Sequence, residues 1–152
     1  MGDAYFYHLT RRPLEATLPM LLGKAREAGW RVVVRGVEWE RMEWLDDKLW
    51  LGPEESFLPH GLAGQAHEAR QPILLTTAPH SPNDPHCLMS VDGAAVSPEE
   101  VQTFKRVCVL FDGNDDLAVQ GARAQWKALT QAGCPAKYWS EASGKWEMKA
   151  EA

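Results

Sequence analysis

At 152 residues the chain fits one domain and can bury a sizeable core. A hydrophobic share of 45% and a charged share of 24% are those of an ordinary soluble globular protein. The net charge of −5, with acidic residues in excess in both halves, argues against a protein that grips nucleic acid through many phosphates, although it leaves room for a local basic patch.

Ala4 to Leu9 alternates in part and predicts a first strand. Thr10 to Pro13 forms a turn. Leu14, Leu18, Leu21, Leu22, Ala25 and Ala28 mark one face of a helix that Gly29 ends. Pro19 conflicts with it: either the helix bends there, or it starts near Thr17 with Pro19 in its first turn. Arg31 to Arg35 predicts a buried parallel strand, and Glu40 to Trp50 a second helix.

The block from Leu45 to Gly64 then runs from a helix end into a Pro-bracketed loop holding Phe57, Leu58, Pro59 and His60. Large apolar residues in a loop either dock on the core or wait for a partner, and the block is read as an interaction surface. His60 reads as a hydrogen-bonded structural residue rather than a catalyst.

Ile73 to Thr77 predicts another strand, Ala78 to His86 a loop, and Cys87 to Val91 a short strand closed by a turn at Asp92–Gly93. Ser97 is placed as a helix cap, with Pro98 in the first helical position and Glu99 and Glu100 in the first turn, where the dipole favours negative charge. Val107 to Phe111 is a buried strand, and Asp115 to Ala132 the last long helix, stopped by Gly133. Ala136 to Trp139 and Lys145 to Met148 read as short strands about Gly144. The alternation predicts a single α/β domain, 1–152, with a Rossmann-like open, mainly parallel sheet and helices on both faces.

Chemistry that this fold class invites is mostly missing from the motifs. The first turn, Thr10-Arg11-Arg12-Pro13, has no glycine to bring backbone N–H groups to a phosphate, and there is no GxxxxGK[ST] or GxSxG. Cys87, Cys108 and Cys134 have no zinc or redox spacing and predict reduced thiols in a cytosolic protein. The N-terminus is too short and polar to read as a signal, and no apolar stretch is long enough to span a bilayer. His80, His86 and Cys87 read as polar loop residues before metal ligands. Asp112, Asp115 and Asp116 read as turn and cap residues before Mg²⁺ ligands. No cofactor, metal or catalytic residue is assigned.

Seven of the fourteen aromatic residues are Trp, so the exposed minority is a candidate set of interface anchors. In the last helix Arg123 and Lys127 share a face, with Trp126 three residues after Arg123. This is either a solvated charged face beside a core Trp or a basic, aromatic-edged site for an acidic peptide end.

The opening FYHL, the block LDDKLW…SFLPHGLAG, the strand ILLTT, the run KRVCVLFDGND and the AR-x-x-WK helix together resemble the chi subunit of bacterial DNA polymerase III, over nearly the whole chain. The resemblance implies a non-catalytic accessory protein of the clamp-loader assembly with a Rossmann-like fold and no nucleotide site. It implies two partners: the psi subunit, and the acidic, Phe-ended C-terminal tail of single-stranded DNA-binding protein. Some members also partner a repair helicase, and DNA contact is indirect. The family's psi-facing residues fall on Trp50, Pro53 and Phe57. Its tail-binding Arg and aromatic positions fall on Arg123 and Trp126. A Lys that some members carry one turn earlier is absent, with Val119 and Gln120 standing nearest; Lys127 is a partial substitute. The alternative reading from the fold class is a nucleotide- or small-molecule-binding α/β enzyme.

Overall fold

A computed structural model of the chain describes residues 2–51, 59–141 and 146–152. The first half holds β1 (Asp3–Leu9), α1 (Leu14–Glu27), β2 (Val32–Arg35), α2 (Trp39–Trp50), β3 (Gly61–Leu62), a 3-10 turn (Glu68–Arg70) and β4 (Ile73–Thr76). The second half holds β5 (Cys87–Ser90), α3 (Pro98–Thr103), β6 (Arg106–Asp112), α4 (Asp116–Gln131), β7 (Ala136–Ser140) and β8 (Glu147–Glu151). The eight strands form one open sheet in the order β3-β4-β2-β5-β6-β1-β7-β8. All neighbours are parallel except β7 and β8.

The chain moves from β1 out to β3 through α1 and α2, then returns to β7 through α3 and α4. Right-handed crossovers therefore put the two helix pairs on opposite faces of the sheet. The core divides accordingly. Leu9, Val32, Val34, Cys108 and Leu110 meet α1 and α2 on one face, and Phe6, Val33, Val107, Val109 and Phe111 meet α3 and α4 on the other. This is the period-two alternation of strands buried on both sides, and it explains why VVV and VCVLF read as unbroken apolar runs.

Local sequence accounts for the helix ends. Gly29 takes φ of 80° after α1, so that Trp30 N–H reaches the Ala25 carbonyl at 3.0 Å and Gly29 N–H the Arg26 carbonyl at 2.9 Å, a full Schellman closure. Gly133 closes α4 in the same way, through Cys134 N–H to the Leu129 carbonyl at 3.0 Å. At α3, Ser97 and Glu100 form a reciprocal capping box, with Pro98 in the first turn.

Three elements differ from expectation. The helix α1 begins at Leu14 and runs through Pro19, so the start near Thr17 is not the one adopted. Burial of Leu14 and Thr17 together with Leu18, Leu21 and Leu22 keeps that turn helical, although Pro19 offers no N–H to the Glu15 carbonyl. Gly61–Leu62 adds an edge strand of two residues that no periodicity could signal. The second strand of the C-terminal pair, β8, lies at Glu147–Glu151, later than Lys145 to Met148, and the turn about Gly144 lies outside the described residues.

Candidate functional site

Two surfaces carry the residues singled out in the sequence, and a third region tests the nucleotide reading. The first surface is the flank of α4 that faces β7. Asp115 caps this helix by accepting the Leu117 N–H at 3.0 Å. Ala122 and Leu129 then point into the core. One step around, Trp126 is half-buried and sets its edge against Phe6, with centroids 5.4 Å apart at 74°, and against Tyr138, at 5.9 Å and 81°. Arg123 and Lys127 lie exposed beside it, and neither is in an ion pair among the described residues.

Two residues that sequence reasoning did not single out complete this flank. The hydroxyl of Tyr138 on β7 lies 2.6 Å from Nδ1 of His8 on β1. Burial pushes the Tyr138 hydroxyl's pKa up, and the nearby Arg123 guanidinium pulls it part of the way back. His8 packs its ring against Phe111, with centroids 5.0 Å apart. Only the β1–β7 pairing, which sets His8 opposite Ser140 and Phe6 opposite Tyr138, brings these groups together. They are 130 residues apart, and no local pattern marks them.

The second surface is the end of α2. Trp50 is 49% exposed, which makes it an accessible side chain rather than a core one. It is nevertheless held in place: its ring lies over His60, 4.1 Å between centroids at 32°. His60 is buried, and its Nε2 lies 3.2 Å from the Asp46 carboxylate and 3.1 Å from the Asp46 carbonyl. Burial raises the Asp46 pKa, against the opposing pull of His60 and of a hydrogen bond from Trp50. Asp46, Trp50 and His60 thus pin the helix end to the start of β3, and Leu51 beyond it is 78% exposed. Pro53 and Phe57 lie outside the described residues.

The third region is the crevice at the C-terminal ends of β1 and β6, where the connections to α1 and α4 leave on opposite faces. This is the place where open α/β sheets take ligands. A cleft of about 710 Å³ lies there, lined among others by Arg12, Arg41, Asp112, Leu117 and Gln125. The donors of the first turn are nevertheless already used. The N–H groups of Arg11 and Arg12 both point to the carboxylate of Glu141, at 3.1 and 2.9 Å. Glu141, which follows β7, is only 2% exposed. The protein's own carboxylate therefore holds the anion position that a phosphate would take in a nucleotide-binding turn.

Three of the candidate metal ligands, Asp112, Asp115 and His86, serve in structural hydrogen bonds. Asp112 accepts the Asn114 N–H at 2.9 Å, and His86 Nδ1 accepts the Arg31 N–H at 2.9 Å. All three cysteines are buried free thiols. Among the described residues no group of three or more His, Cys, Asp or Glu side chains is arranged to hold a metal ion, and no helix is long and apolar enough to cross a membrane.

Comparison with known proteins adds two findings. Residues 1–137 match the family model described as DNA polymerase III chi subunit, HolC. A curated relative from Rickettsia prowazekii (strain Madrid E), named probable DNA polymerase III subunit chi, is 23% identical over 122 residues, which cover 77% of this chain and 74% of the relative.

Proposed function

Because the chain belongs to the DNA polymerase III chi subunit family, with a role as an accessory subunit in DNA replication, we propose that it works there as a non-catalytic connector between two other proteins. The acidic C-terminal tail of single-stranded DNA-binding protein docks on Arg123, Trp126 and Lys127. The psi subunit docks on Trp50, the last residue of α2, and on Pro53 and Phe57. The domain, 1–152, works in the cytoplasm, carries no catalytic residue or cofactor of its own, and meets DNA only through its partners.

The observation that carries this reading is the pair of exposed cations on α4, Arg123 and Lys127, beside the half-buried face of Trp126. A guanidinium can hold a carboxylate by two parallel hydrogen bonds, and an aromatic wall can seat a terminal Phe. The half-exposed Trp50, held by His60 and Asp46, has the character of an interface anchor, since a preorganised Trp loses little freedom on binding. The filled anion position at Arg11 and Arg12 speaks against the nucleotide-binding alternative.

The test is fluorescence anisotropy of a labelled acidic peptide ending in Phe. Arg123→Ala should weaken binding by about tenfold or more, the loss expected when a hydrogen-bonded ion pair is removed. Binding should also weaken as salt rises. An unchanged affinity in Arg123→Ala removes the tail site. Phe57→Ala, with the fold intact, should lose psi in a co-purification, and full retention of psi moves that surface elsewhere.

A further inference from the structure

We propose that the groove between the β2–α2 and β5–α3 connections is a further docking site. It takes a segment of a third protein in which a large apolar side chain stands next to a Lys or Arg.

Its position follows from the topology. The strands β2 and β5 are parallel neighbours, yet α2 packs on one face of the sheet and α3 on the other. The chain therefore leaves the two strand ends in opposite directions and opens a crevice between them, as it does between β1 and β6. A groove of about 490 Å³ lies there, lined by Arg35 and Glu100 and, on its apolar walls, by Val37, Pro79, Ala95 and Val96.

Arg35 holds these walls in place. Its Nη2 meets the Glu100 carboxylate at 2.7 Å and the Pro79 carbonyl at 3.2 Å, and its Nη1 meets the Ala95 carbonyl at 3.3 Å. Ser90 fixes the β5–α3 connection by donating its O–H to the Ala94 carbonyl at 2.5 Å. A groove already held in shape has little ordering left to cost when a partner arrives.

The same bonds decide its charge. The Arg35 side chain is 7% exposed and that of Glu100 25%, so an incoming group meets the carboxylate rather than the guanidinium. Glu38 and Glu40 stand exposed at the start of α2, beside Val37, and among the described residues neither is in an ion pair. The accessible charge is thus acidic and fits a cation. The apolar surface runs on past the groove: Val37 is 55% exposed, and Trp39, two residues later, 39%. Apolar surface that spreads in this way suits a protein segment rather than a small ligand, and Trp is enriched at interface hot spots. Trp39 and Trp50 are the first and last residues of α2, about 17 Å apart at 1.5 Å per residue, so this site and the one at Trp50 use opposite ends of one helix.

The test is selection of short random peptides, displayed on phage, against the immobilised full chain, followed by fluorescence anisotropy of the best peptides after synthesis. Those peptides should pair Lys or Arg with large apolar residues, and their binding should weaken as salt rises. Val37→Ser should weaken it about fivefold by removing apolar contact, and Glu38→Lys about tenfold by turning attraction into repulsion. Both positions are exposed, so the two variants keep the core intact. Arg123→Ala should bind the same peptides as wild type does, and Val37→Ser should still co-purify with psi. The proposal is overturned if no selected peptide responds to Val37→Ser and Glu38→Lys, or if the peptides that respond are acidic. Loss of psi in Val37→Ser also overturns it, since the groove then belongs to the psi surface.

Discussion

Gly113 is the residue where fold and candidate site are most tightly joined, and Gly113→Ala should be costly. A Cβ on Gly113 would overlap the Cδ2 and Nε2 atoms of His8 and lie 2.8 Å from Cγ2 of Thr10. The glycine cannot back away, because its N–H donates to the Leu9 carbonyl at 2.6 Å. The His8 ring cannot yield without leaving Phe111 and breaking the 2.6 Å bond to Tyr138. Forcing a methyl group into packed surroundings costs about 1–3 kcal/mol, and a lost hydrogen bond adds about 1 kcal/mol. The expected destabilisation is thus about 3 kcal/mol, which for a chain of this size lowers Tm by about 6–12 °C. Denaturant titration followed by tryptophan fluorescence, with calorimetry for Tm, measures it. Gly23→Ala is the control: nothing lies within 4 Å of its Cβ position, and it sits inside α1. That change should stabilise by about 0.5–1 kcal/mol through helix propensity alone. A Gly113→Ala protein within about 0.5 kcal/mol of wild type, the usual spread for neutral surface changes, would refute the close approach of the Gly113 turn to the end of β1.

Other expectations follow from the capping and charge geometry. Ser97→Ala removes the side chain that accepts the Glu100 N–H at 3.2 Å, and should cost about 1 kcal/mol in the same denaturation assay. Burial pushes the Glu100 carboxyl up, but hydrogen bonds from Arg35 and Ser97 outweigh it and leave the pKa below the usual carboxylate range. A depressed folded-state pKa means stability that is full above the unfolded carboxylate value and is lost as the pH falls through the folded one. Stability measured from pH 6 to pH 2.5 should therefore fall more steeply in wild type than in Glu100→Gln; equal slopes would show that the 2.7 Å contact to Arg35 contributes nothing.

Much of the architecture was legible because it is written locally. The apolar runs VVV, ILL and VCVLF, the helical spacing of Leu14, Leu18, Leu21 and Leu22, and the Ser97-Pro98-Glu99-Glu100 start each depend on residues within a few positions of one another, and each lies where the pattern puts it. The cap at Asp115 is of the same kind. Pro19 was ambiguous because its local cost runs against the burial of α1, and that burial is a tertiary quantity. The strand Gly61–Leu62 was not legible, since two residues carry no period and owe their pairing to β4.

The amino-acid order alone thus determines the alternation of strands and helices, the family, and the absence of a glycine from the first turn, because these are matters of short-range spacing and residue type. Only the tertiary structure decides the strand order that sets β1 between β6 and β7. From that order come the Glu141 carboxylate under the Arg11 and Arg12 N–H groups, and the contact of His8 with Tyr138 beside Arg123. The physical reason is separation: these partners stand about 130 positions apart, and side chains so distant meet only once burial of both sheet faces has chosen which strands lie side by side.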